Sequence, residues 1–165
     1  IQSVIKDGGK WKWVSYVVAP IVTLFKCISV ALFLYGGVFF LNREAGFSSL
    51  FRITIGVELI WLLPMIFKIV WFGIFQRNYT LEELTNFQAL SLMFFFERNQ
   101  LDAWIIYPLL QINLFEMTYW IALASAMKTF FDKTLLWRLQ FIALTYGLLF
   151  FVWIFVVMFL IISLT

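Results

Sequence analysis

Four stretches of this chain, at about 17–41, 53–75, 104–127 and 139–162, run apolar for the roughly 20 residues that a helix needs to cross a bilayer. That feature limits the fold before any other. Hydrocarbon offers no partner for a bare N–H or C=O, so a chain that enters it must pair its backbone internally, and long apolar runs do so as helices. We therefore expect an all-α integral membrane protein, one polytopic domain over 1–165, with about four transmembrane helices. Composition agrees: 64% of the 165 residues are hydrophobic and 13% charged, and the 21 Phe, 8 Trp and 6 Tyr carry more apolar surface than so short a chain could hide in water.

The edges of the spans carry interfacial residues. Lys6, Lys10 and Lys12 with Trp11 and Trp13 precede the first, which closes at Asn42-Arg43-Glu44. Pro20 is expected in the first turn of that helix, where its missing donor is harmless. Pro64 lies inside the second span and predicts a kink. The last span carries no charge from 148 to 162 and reads as a plain packing helix.

Between the second and third spans, Thr80-Leu81-Glu82-Glu83 reads as a capping box that starts a short helix. The aromatic run 87–96 is too short to span. An interfacial or re-entrant helical segment at about 81–96 fits this length. Basic residues tie across the two faces, Lys6, Lys10, Lys12, Arg77 and Arg98 against Arg43, Arg52, Lys128, Lys133 and Arg138. The first helix then favours a cytoplasmic N-terminus, and a bacterial inner membrane is the expected location.

Several functions are excluded or weakened. With no His and one Cys, Cys27, the chain has no His-ligated metal or haem, no Ser-His-Asp triad and no intrachain disulfide. Cys27, inside a span, is expected to be inert. The net charge of +3 is scattered, which argues against nucleic acid. No phosphate-cradling loop or acyl-transfer signature occurs, so no cofactor, metal or catalytic residue is expected, and this weighs against an enzyme. The acidic group Glu82, Glu83, Glu97 and Asp102, with Arg98, matches no metal-ligand spacing.

Ionisable groups inside spans cost about 2.5–3.5 kcal/mol at a helix centre, so each asks for a reason. Lys26, Glu58, Lys68 and Glu116 are the ones present. From the rise per residue, Lys26, Lys68 and Glu116 fall at neighbouring depths, whereas Glu58 falls close enough to the opposite face to reach headgroups. Glu116 is expected either to pair with Lys26 or Lys68 or to carry a proton. The third span is the most polar: Asn113, Glu116 and Trp120 form one helical stripe, Gln111 and Thr118 another. Small residues at Gly36-Gly37, Ala122/Ala126 and Ala143/Gly147 favour close helix approach, with Tyr146 as an interhelical hydrogen-bonding group.

These readings point to a non-catalytic subunit or accessory of a larger membrane assembly of the transport or secretion type, with lipids and other membrane subunits as partners. The alternative is a small homo-oligomeric carrier, or proton-linked transporter, that uses Glu116.

Overall fold

The structure, a computed structural model, describes residues 12–76, 78–80, 87, 90–97 and 100–164, with side chains from 16 onward. Its elements are α1 (Lys12–Phe40), α2 (Phe47–Glu58), α3 (Leu62–Val70), α4 (Ala103–Gln111), α5 (Leu114–Ala126), α6 (Leu135–Ile142) and α7 (Leu148–Leu164). A 3-10 turn joins α2 to α3, and π-turns at Trp71–Phe75 and Ala143–Gly147 extend α3 and join α6 to α7. The described residues are all-helical, with no strand and one isolated bridge. Three helices are long and apolar enough to cross a membrane: Tyr16–Phe40, Phe47–Phe75 and Leu135–Leu164. This is the character of an integral membrane protein.

The second helix begins at Phe47, about six residues before the expected start, because Gly46 lies extended and Ser48, Ser49 and Arg52 then wind into the helix instead of forming a loop. Arg52 reaches back to Ser48 along that turn. The hairpin between α1 and α2 turns at Asn42, whose φ of 53° is a left-handed conformation that Asn tolerates. Pro20 is in the interior of α1, because the helix starts upstream at Lys12. Near Pro64 the helix does adjust: the 3-10 turn Leu59–Trp61 lies where Pro64 has no N–H to return to the preceding turn.

The apolar run at 104–127 is two helices. Ile112 and Asn113 are extended, and α4 and α5, of 9 and 13 residues, meet there. Across the break the chain 90–92 docks as a bridge of Ser91 to Asn113, with Leu92 N donating to Ile112 O and Leu114 N to Leu90 O, each at 3.0 Å. The backbone groups that the break frees are thereby paired within the protein. Leu90 adopts a φ of 65°, an uncommon conformation for a branched apolar residue, to present that carbonyl. Of the segment expected to be helical at about 81–96, 81–86, 88 and 89 lie outside the described residues. The remainder shows one 3-10 turn, Leu92–Phe95, not a longer helix.

The core lies where α1, α2, α5 and α6 meet. Cys27, Val30, Ala31, Leu34 and Val38 recur at helical spacing on α1 and pack with Leu50, Val57, Leu123, Met127 and Ile142. Gly37 sits against Phe141 and Thr145, and Gly147 against the Trp120 ring, where a side chain would collide. Gly36 faces open space.

Candidate functional site

Two adjoining sets of polar side chains, one half-buried and one buried, lie between the helices. The first part is an ion pair: Lys26 Nζ lies 2.8 Å from Glu58 Oε1. The ammonium also lies 4.5 Å from the centre of the Trp61 ring and 5.0 Å from that of Tyr119, so one carboxylate and two aromatic faces surround it. Glu58 and Trp61 share a face because they are three residues apart on a helix. Glu58 Oε2, Trp61 Nε1 and the Tyr119 hydroxyl are buried without a hydrogen-bond partner among the described residues.

The second part is built on Glu116, in the first turn of α5 and 5% exposed. Its Oε1 accepts hydrogen bonds from Trp120 Nε1 and from the Tyr146 hydroxyl, both at 2.7 Å. Its backbone N–H donates to Asn113 Oδ1 at 2.8 Å, while Asn113 Nδ2 donates to the carbonyls of Leu110 and Gln111, each at 3.1 Å. One amide side chain thus closes the end of α4 and caps the start of α5. Tilted ring contacts join the two parts, Trp61 to Tyr119 at 6.0 Å and Tyr119 to Tyr146 at 5.2 Å.

The expected pairing of Glu116 with Lys26 or Lys68 is absent among the described residues; Lys26 pairs with Glu58. The reason is the early start of α2. Beginning at Phe47 instead of 53 places Glu58 roughly 9 Å deeper than its expected position near headgroups. Counted back from the shared hairpin, it then meets Lys26. Lys68 is half-buried and has no ion pair among the described residues. The structure brings Asn113, Glu116 and Trp120 together, with Tyr146 added from the facing helix. Gln111 joins only through its carbonyl, and Thr118 turns back on its own helix, bonding Leu114 O at 2.9 Å.

No protein-family model, curated protein or solved structure matches the chain. What the site does must therefore be read from its own chemistry. It holds two carboxylates and one ammonium, and the ammonium is committed to Glu58. Glu116 keeps Oε2 free of hydrogen bonds among the described residues and lines a groove of about 310 Å³ with Asn113, Met117, Trp120, Ile121 and Phe150. No group of three or more metal-ligating side chains occurs among the described residues. Glu82, Glu83 and Arg98 of the acidic group lie outside those residues.

Sequence reasoning missed Trp61 and Arg138. Trp61 could have been found from its spacing to Glu58. Arg138 is buried and donates to Ser125 O at 3.1 Å, closing the last turn of α5 as a cation suits a helix C-terminus. It had been counted with the surface cations because it follows Lys133 closely.

Proposed function

We propose that this chain is a non-catalytic subunit or accessory of a larger membrane assembly, of the transport or secretion type, with lipids and other membrane subunits around it and with a bacterial inner membrane as its location. The observation that carries this reading is how little the helices cover one another. In the most apolar 18 residues of each of the three long helices, only 22%, 11% and 11% are buried within the chain. Lipid covers some of that surface, and neighbouring helices are the natural cover for the rest.

The same proposal includes a fourth crossing made by the broken pair α4–α5. Its support is a long antiparallel register: Tyr107 bonds Trp153, Glu116 bonds Tyr146, and Ser125 bonds Arg138. As one strand of contacts climbs in number the other descends, over the length of a span. The segment that docks on the break then enters from the 76–102 side as a re-entrant element, its Phe94 and Phe95 exposed to lipid.

Extraction in mild detergent, followed by mass determination, tests the assembly reading. Other membrane proteins co-purifying in fixed ratio are expected; a clean homo-oligomer contradicts it. A specific observation favours the second reading, a proton-linked carrier: Glu116 has no ion pair among the described residues and stands beside a helix break, the kind of position that transporters use for coupling ions. There, Glu116→Gln abolishes flux while leaving the fold intact.

A further inference from the structure

The groove beside Glu116 has a composition that selects its occupant. Its rim residues Met117, Ile121 and Phe151 are exposed on the outer side of the bundle. Its walls are apolar and aromatic, with Trp120 and Phe150 edge to face at 6.2 Å. Glu116, 5% exposed, lines it, with Oε1 anchored by the Trp120 indole and the Tyr146 hydroxyl and Oε2 without a hydrogen bond among the described residues.

A cation is one way to neutralise Glu116, and a proton is the other. Among the described residues the site sets two carboxylates against one ammonium, Lys26, which is held by Glu58 and the Trp61 and Tyr119 rings. Removing an ionised carboxylate from water without a partner costs several kcal/mol. Calcium or magnesium does not fit, because each needs six or more oxygen ligands, and among the described lining residues the other polar side chain, Asn113, spends both ends of its amide on helix caps. An occupant suited to ionised Glu116 and to these walls brings one positive charge on a body that is otherwise apolar. A volume of about 310 Å³ lies at the lower end of small-molecule sites.

We propose that this groove is a binding site, open to the bilayer, for a small apolar amine whose ammonium docks on Glu116 while its body lies against Trp120 and Phe150. The site rests on the reading that α4–α5 lies in the membrane, but its residues come from one chain, so it is tested without partners.

The test uses the purified full chain in lipid nanodiscs, a photoreactive aryl-diazirine amine, and the alcohol of the same skeleton. Labelled residues are mapped by mass spectrometry. The amine is expected to label the groove around Met117, Ile121 and Phe151 in a saturable way, at least tenfold above the alcohol. Glu116→Gln, which keeps shape and removes charge, is expected to lower that labelling about tenfold. Met117→Trp, which fills the groove and retains the carboxylate, is expected to block it. Because Met117 is exposed, this second variant keeps the test independent of folding around Glu116. Equal labelling by amine and alcohol, or labelling by the amine that survives either substitution, overturns the proposal.

Discussion

Asn113 is the residue on which the broken helix turns, and its replacement has a calculable cost. Its Oδ1 accepts the Glu116 N–H, and its Nδ2 serves two carbonyls at the end of α4. Loss of an N-cap costs about 1 kcal/mol. Each of the two bonds from the amide contributes about 0.5–1.5 kcal/mol net, because those carbonyls have no helical partner. Asn113→Ala is therefore expected to destabilise the protein by about 2–4 kcal/mol. Asn113→Ser keeps an acceptor for Glu116 and loses only the donors, so its cost is about 1–3 kcal/mol. Reversible unfolding in mixed micelles measures both. If Asn113→Ala lies within about 0.5 kcal/mol of the parent, or Ser is as damaging as Ala, the double-capping account fails.

Other outcomes follow from the same geometry. Lys26→Met leaves half-buried Glu58 without its partner and is expected to cost about 1–3 kcal/mol, whereas Lys26→Met with Glu58→Leu recovers most of the loss; a double-mutant cycle without coupling refutes the pair. Gly37→Ala forces α1 away from Phe141 and Thr145 and is expected to cost about 1–3 kcal/mol, while Gly36→Ala, facing open space, is neutral or slightly stabilising. Thermal unfolding in detergent separates the two, and equal effects contradict the close approach. Tyr146→Phe removes one of two donors from Glu116 and is expected to cost about 1.5–3 kcal/mol; no change in stability shows that the hydroxyl does not hold the carboxylate.

The long spans were legible because lipid imposes a length and a polarity that few other environments demand. The first, second and last apolar runs each correspond to one long helix, although each helix begins earlier than its run. At Phe47 the difference mattered, since polar Ser48, Ser49 and Arg52 read as a loop and misplaced the depth of Glu58. The break at Asn113 lies within the most polar stretch of its run, between Gln111 and Glu116, but that polarity was read as stripes on one continuous helix. What breaks the helix there is tertiary: the 90–92 backbone takes the places of helical partners, and no local pattern announces a contact from so far along the chain. Of the polar stripe in the third span, Asn113, Glu116 and Trp120 were legible as neighbours by spacing alone. Trp61 and Tyr119 around Lys26 were not, because their meeting depends on how the helices pack.

The central claim is that α4–α5 crosses the bilayer as a broken helix and carries Glu116 within it. Labelling of single cysteines by a membrane-impermeant reagent tests this most directly, in sealed vesicles and a Cys27→Ala background, at positions 46, 102 and 133. A fourth crossing places 46 and 133 on one side and 102 on the other. If 102 and 133 label from the same side, with 46 opposite, the broken pair does not cross and the account is contradicted.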